Sequence, residues 1–350
     1  MTEYAELRRL VIEAGLPEKR PVYYAGHILL VLACYTLAIV LLMGGPSGWM
    51  SLFVAVLLAF AFAQVAFLGH DASHHQIFTR QTSEHAFCLA CNLLIGFSYS
   101  WWTDKHSRHH RAPNQIGADP DLEVPLLAFS AEQARTATGL RRAIIRHQAF
   151  AFPAMLAFEG VALRVASVAY LWRGGAHFRV AESILITLHG IGYVTLVLAA
   201  LPFWQGALFI TVHQALFGLY MGAVFAPNHK GMPLIANGRT LDPLQRQVLT
   251  SRNVRSHPIT DFMFGGLNYQ IEHHLFPRIP RNRLKDTQRI VRAFCRARGI
   301  PYREVGLFET YRETFCYLSR VSASLRESPG GVPTDLPSDQ VIDRHSTLRH

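Results

Sequence analysis

The sequence predicts an all-α integral membrane protein: two transmembrane helical hairpins, four spans in all, under a cytoplasmic helical cap. Three observations carry this reading. Long apolar runs without Asp, Glu, Lys or Arg recur at 22–43, 49–69, 183–201 and 204–226. At ~1.5 Å rise per residue, ~20 residues suffice to cross a ~30 Å hydrocarbon core. The runs fall into two pairs with short uncharged links, GGPSG at 44–48 and a second link centred on Pro202 and Phe203. Finally, 50% of the 350 residues are apolar and only 17% are charged, a balance unlike that of a soluble chain.

Each segment follows in order. Residues 1–21 read as an N-terminal amphipathic helix approaching the membrane, with Tyr4, Leu7, Leu10 and Val11 on one side. Residues 22–69 form the first hairpin. Residues 70–182 return to polar chemistry and make a cytoplasmic and interfacial segment. Two apolar stretches within it do not read as spanning: 86–102 as interfacial or re-entrant, and 149–172 as an interfacial helix. The first is short and contains Asn92 and Ser98; the second carries Glu159 and Arg164. Residues 183–226 form the second hairpin. Residues 227–322 form a cytoplasmic segment with an amphipathic helix near 283–298, ending at Gly299 before Pro301. The tail, 323–350, is rich in Ser, Pro, Gly and Asp and is expected to be disordered.

Lys and Arg lie on the side that holds the termini and long loops, so both termini are expected in the cytoplasm. That bias accounts for the net charge of +10. The basic stripe of Arg135, Arg141, Arg142 and Arg146 is explained equally by that bias and by a grip on the phosphates of a CoA or lipid headgroup, and no element of the chain reads as a nucleic-acid reader. The five cysteines (34, 88, 91, 295 and 316) are odd in number and scattered, which argues against a disulfide framework. Cys88 and Cys91 have no second pair with which to complete a zinc site.

The chain's 18 histidines are informative mainly by where they stand. His70, His74 and His75 follow the second span in HDASHH. His106, His109 and His110 form HSRHH, followed by Pro113 and Asn114. Asn228 and His229 follow the fourth span, and Gln270, His273 and His274 stand in QIEHH. Spacings of i, i+3 and i, i+4 put each set on one helical face, where it can converge on a point. Neutral imidazole ligates metals, and a bound cation keeps it deprotonated at neutral pH. Nine such histidines exceed the six positions of one octahedral ion, so two ions are expected, with positions left for oxygen or water. No Glu-x-x-His or His-Glu-x-x-His occurs, which excludes the carboxylate-bundle di-iron site and the zincin site.

HDASHH, HSRHH and QIEHHLFP, in this order, resemble the three histidine boxes of the integral-membrane fatty acid desaturases. Gln270 at the head of the third box is similar to the front-end, linoleoyl-CoA-desaturase-like branch. The resemblance covers most of residues 1–318, including the paired hairpins and FAPNHKG. It implies a membrane fatty acyl desaturase that introduces a C=C double bond with O₂ into an acyl-CoA or acyl-lipid. It implies two irons held by His70, His74, His106, His109, His110, His229, His273 and His274. The second position of the first box is filled in the family by either of two neighbours, which leaves His75 open. Whether Gln270 binds metal directly or through water, and whether Asn228 holds a metal-bound water, are likewise open. Front-end relatives often carry a fused haem-cytochrome donor domain. Because about 21 residues precede the first span, electrons are expected from a separate ferredoxin- or cytochrome-type donor with its reductase. A membrane hydroxylase or ketolase with the same boxes is the nearest alternative. A metal transporter or sensor would need ligands at mid-membrane, whereas these clusters lie outside the spans.

Among the remaining polar residues, Asp71, Asp104, Asp119, Asp121 and Asp261 are candidates to orient ligand imidazoles through their second nitrogen, Asp71 foremost by its place in the box. His257 is a further supporting candidate. His27, His189 and His213 lie inside spans. His213, 16 residues before His229 and so ~24 Å along a helix, is too far to be a ligand and is expected to join helices or line an acyl tunnel. His85, His147, His177, His345 and His350 read as ordinary surface or core histidines.

Overall fold

The computed structural model describes residues 2–325 together with Val341 and Ile342. Helix α1 (Glu3–Glu13) is capped by Thr2, whose hydroxyl accepts from the Ala5 amide, and it buries Leu7 and Val11. Helix α2 (Pro21–Met43) starts on proline, where no intrahelical donor is lost, and α3 (Trp49–Ser73) returns. The link between them turns on Gly45 and Gly48 at φ +66° and +54°.

The stretch 86–102, read from sequence as interfacial or re-entrant, is divided between two helices. Helix α4 (Gln81–Ile95) ends on Gly96 in the left-handed region, and α5 (Tyr99–Arg111) begins where Ser98 accepts from the Trp101 amide. Two short helices follow, α6 (Ala131–Arg135) and α7 (Gly139–Arg146). The expectation of a single interfacial helix over 149–172 needs correction: α8 (Gln148–Leu156) and α9 (Glu159–Arg173) meet at a 73° bend. The second hairpin is α10 (Arg179–Ala200) and α11 (Phe203–His229).

Among the described residues, α2, α3, α10 and α11 are the helices long and apolar enough to cross a membrane. α3 and α11 pack against each other at the centre, and α9 packs on α11. α2 and α10 leave Leu29, Leu30, Val40, Ile184, Leu188 and Ile191 exposed, a face suited to lipid. A Cβ on Gly218 would stand 2.6 Å from the Leu156 carbonyl oxygen and 2.9 Å from that of Ala157. Only glycine lets the α8–α9 bend seat against α11. The two hairpin links lie at one end of the bundle, since a Cβ on Gly45 would be 3.6 Å from the Ala200 carbonyl oxygen.

The remaining elements gather at the other end of α11: β1 (Leu234–Ile235), α12 (Pro243–Thr250), β2 (Asn253–Val254), α13 (Pro258–Met263), α14 (Gln270–Leu275), α15 (Leu284–Ala297), β3 (Glu304–Val305), α16 (Leu307–Ala323) and β4 (Val341–Ile342). β2 pairs parallel to β3, and β1 to β4. The amphipathic helix expected near 283–298 is α15. Its Val291 and Phe294 share one core with Leu7 and Val11 of α1. In the tail expected to be disordered, α16 reaches Ala323, and Val341 and Ile342 pair with Leu234 and Ile235. An apolar Val-Ile pair in a polar segment finds an open strand edge there. The rest of that tail, 326–340 and 343–350, lies outside the described residues.

Candidate metal centre

The histidines come from four elements. α3 and the residue after it supply His70 and His74, α5 supplies His106, His109 and His110, the end of α11 supplies His229, and α14 supplies Gln270, His273 and His274. The orientation of α5 is fixed at its start by Glu182 of α10. Its buried carboxylate accepts from the Ser98 and Ser100 hydroxyls and from the Ser100 amide. The carboxylate thus sits at a helix N-terminus, where negative charge is favoured.

Two clusters result. In the first, one ring nitrogen from each of His70, His74, His106 and His273 lies within 4.8 Å of the others. The Nε2 atoms of His74 and His106 are 2.9 Å apart, and Trp102 stacks on His106 with centroids 4.7 Å apart. In the second, His109, His229 and His274 converge in the same way. His229 Nε2 lies 3.3 Å from His109 Nε2, 3.1 Å from His274 Nε2 and 3.0 Å from Gln270 Nε2. His110 stands between the clusters. Its Nε2 is 3.1 Å from His106 Nε2, and its ring stacks on His274 with centroids 4.2 Å apart.

These residues fit metal ions. A neutral imidazole carries one N–H, so a ring of facing nitrogens cannot satisfy itself by hydrogen bonds alone. Among the described residues, the buried atoms His70 Nε2, His110 Nδ1 and both ring nitrogens of His273 have no hydrogen-bond partner. Each such atom costs about 1–3 kcal/mol, and a cation at the centre of a cluster removes that cost for every lone pair facing it. Burial, reinforced by neighbouring imidazoles, pushes His106, His110, His273 and His274 well below the ordinary histidine pKa. They therefore stand neutral at pH 7, as ligands must. His109 goes the other way: burial opposes its charged form, but Asp121 and Asp119 outweigh burial and raise it.

Behind the rings, two of the five carboxylates named from sequence orient histidines directly. Asp71 Oδ1 faces His70 Nδ1 at 3.3 Å, while its Oδ2 accepts from the Tyr24 hydroxyl and from Arg281 Nε. Asp119 Oδ1 faces His109 Nδ1 at 2.9 Å and accepts from the Asp121 amide, while Asp119 Oδ2 accepts from the Asn114 amide. Asp121, 3.4 Å from His109 Nδ1, is held by Lys105. Asp119 and Asp121 thus stand as a hydrogen-bonded support behind His109. Asp104 pairs instead with Arg108, and Asp261 with Ser256, Asn268 and Tyr269.

Three predicted residues behave differently from the cluster members. His75 joins neither cluster. His257 is exposed and caps α13, its Nδ1 accepting from the Ile259 amide. Asn228 donates to the Val224 and Leu267 carbonyls and to Gln270 Oε1. Two carbonyl acceptors fix which end of that amide is NH₂, so Gln270 offers its own NH₂ toward His229. Sequence reasoning missed Gln247, whose Oε1 faces His274 Nδ1 at 3.0 Å, and the Thr250 carbonyl, which faces His229 Nδ1 at 3.0 Å. Neither carries a signal in the sequence beyond lying before the third box. Glu272, inside that box, is buried and pushed up to about 7 by burial, despite donors on Asn253 and Tyr302.

A narrow apolar cavity of about 50 Å³ reaches the first cluster at His70 and Trp102, with Cys88, Leu163, Met221 and Phe225 among its walls. Cys91, a free thiol like the other cysteines, packs against Gly69 beside it. His213, as expected, joins helices: its Nδ1 lies 2.6 Å from the Tyr193 hydroxyl of α10.

The family model for fatty acid desaturases matches residues 47–306, a span containing every histidine of both clusters. The chain belongs to the fatty acid desaturase family. Among curated desaturases it is 31% identical to a Delta(6)-fatty-acid desaturase of Caenorhabditis elegans, over 88% of this chain and 72% of that one. It is 30% identical to a Delta(8)-fatty-acid desaturase of Euglena gracilis, over 94% and 81%. With an acyl-lipid (9-3)-desaturase of Physcomitrium patens it shares 29% identity over 88% of this chain, and it spans 60% of that desaturase's length.

Proposed function

We propose that this desaturase-family chain is a membrane fatty acyl desaturase, placing a C=C double bond in the chain of an acyl-CoA or acyl-lipid. The observation that carries this reading is the contact between an apolar cavity and a polyhistidine cluster at His70 and Trp102. An aliphatic chain in that cavity presents only C–H bonds, and a metal centre is what can attack them.

His70, His74, His106 and His273 would hold one iron, and His109, His229 and His274 the other, with His110 between them. When bound, the two irons supply O₂ activation and the oxidising power to remove two hydrogens. In the balanced reaction, two hydrogens from adjacent methylenes, two electrons and two protons reduce one O₂ to two waters. A separate ferredoxin- or cytochrome-type donor with its reductase would deliver the electrons. The chain's own task is geometric. Trp102 forms cavity wall and packs on His106, Asp71 and Asp119 hold imidazoles in one tautomer, and the apolar walls exclude water. Gln270 presents an amide N–H toward the second cluster, suited to an oxygen ligand there, and Asn228 holds it in that orientation through Gln270 Oε1. The positive-inside bias supports a cytoplasmic centre and cytoplasmic termini.

The test is a mass-spectrometric lipid profile of a bacterium expressing the protein with a working donor, with His110→Ala as control. A new unsaturated acyl chain, absent in the control, is expected. An oxygenated product would mark a hydroxylase or ketolase. Metal uptake without oxygen consumption would mark a transporter or sensor, and an unchanged profile with iron-loaded protein would refute desaturation.

A further inference from the structure

The box histidine left out of both clusters lies in a cavity of its own. His75 follows the end of α3 at φ +55°, a conformation that costs a residue with a Cβ about 1 kcal/mol and is usually given to glycine. The His75 amide donates to Ala72 O at 2.9 Å and the Gln76 amide to Asp71 O at 3.0 Å, so the helix terminus itself sets this turn. It separates His75 from its neighbour His74 and leaves it in the wall of a cavity of about 440 Å³, with Lys19, Phe78, Gln81, Glu84 and Arg278.

Three basic side chains from distant segments thus face one space. Lys19 stands just before the first span, at headgroup depth. Its ammonium donates to the His75 carbonyl and lies 3.8 Å from Glu84 Oε1. Glu84 is buried and turned inward, accepting from the Ile77 and Phe78 amides at 3.2 and 2.8 Å, so it offsets Lys19 from beneath. Arg278 is exposed and, among the described residues, has no ion-pair partner. Burial and the charge of Arg278 lower the Lys19 pKa against the pull of Glu84. Lys19 and Arg278, offset only by Glu84, leave one positive charge at this cavity, with the His75 ring beside it as a neutral hydrogen-bonding group, and basic pockets beside spans bind phosphate headgroups.

We infer that Lys19, His75 and Arg278 form a phosphate site for the polar end of the acyl carrier. This rests on the desaturase reading for its purpose but not for its detection. The phosphate comes from a phospholipid headgroup or from coenzyme A, and the site sits one residue from a histidine of the first cluster. A carrier anchored there enters the protein beside the metal centre.

The test measures binding of dihexanoyl-phosphatidic acid and of free coenzyme A to the full-length, iron-loaded protein in detergent. Arg278→Gln is expected to weaken the probe that binds by about tenfold, a loss of one charge-assisted contact. His75→Asn, which tolerates the left-handed turn, is expected to weaken it about threefold with iron content unchanged, and Arg142→Gln is expected to leave binding intact. Binding of phosphatidic acid alone assigns the site to lipid, and of coenzyme A alone to the thioester carrier. Binding of neither probe, an unaffected Arg278→Gln variant, an equal loss in Arg142→Gln, or loss of iron in His75→Asn overturns the inference. A new double bond in lipids with unaffected Arg278→Gln binding sinks this site alone. Charge-dependent binding without any product sinks the desaturase reading instead.

Discussion

The two histidine clusters resemble each other in their facing nitrogens and differ in what stands behind the rings. In the second cluster every ring is held from behind: His109 by Asp119, His229 by the Thr250 carbonyl and His274 by Gln247. In the first, His70 has Asp71 at the longer distance of 3.3 Å, and neither nitrogen of His273 has a hydrogen-bond partner among the described residues. Outer hydrogen bonds fix tautomer and ring angle before a metal arrives. The rings of the second cluster are therefore set by the protein, whereas the first would need a bound ion to complete it.

His110→Ala probes the point where this distinction vanishes, because its ring touches both clusters. It is expected to remove iron from both sites and to abolish product, read as iron per chain and lipid profile. Loss from one site alone would assign His110 to that site. Asp119→Asn should weaken metal at the second cluster by about 10–100-fold, seen in a metal titration of stripped protein. In the unsubstituted protein the same titration should fill the second cluster first, and the opposite order would break the comparison.

Acidity gives a third handle. In the metal-free protein His74, His106, His110, His273 and His274 all have lowered pKa values, so the folded state binds fewer protons than the unfolded chain. Their contribution is present above the unfolded pKa of about 6.5 and is lost as pH falls, by about 1.4 kcal/mol per pH unit for each histidine protonated only when unfolded. Thermal melts of metal-free protein should drop between pH 7.5 and 5.5, and bound metal should flatten that slope. The smallest effect expected is from Gln247→Ala, which removes a neutral contact behind His274. A loss of about 1 kcal/mol, or some fivefold in metal affinity at the second cluster, is expected.

The boxes and spans were legible because their information is local. An i, i+3, i+4 set needs only a helix to converge, and a charge-free run of this length needs only a bilayer. What stands behind the rings was not local. Asp119 reaches His109 through the turn after Asn114, and Gln247 reaches His274 only because α12 packs on α14. The choice between His74 and His75 turned on one residue at a helix end, where His75 takes the left-handed turn. The bend between α8 and α9 depends on Gly218, some sixty residues downstream. His257 misled because nearness in sequence to the third box says nothing about its capping role.

His70 sits at the end of the first hairpin, His229 at the end of the second, and His273 and His274 come later still. During synthesis, therefore, neither cluster can close until both hairpins have inserted and the chain has emerged past residue 274. Until the third box emerges, the first cluster lacks His273 and the second lacks His274. Metal delivered too soon meets only fragments of a site. Loading would then be a post-insertion event, and chains truncated before the third box should reach the membrane yet never retain iron.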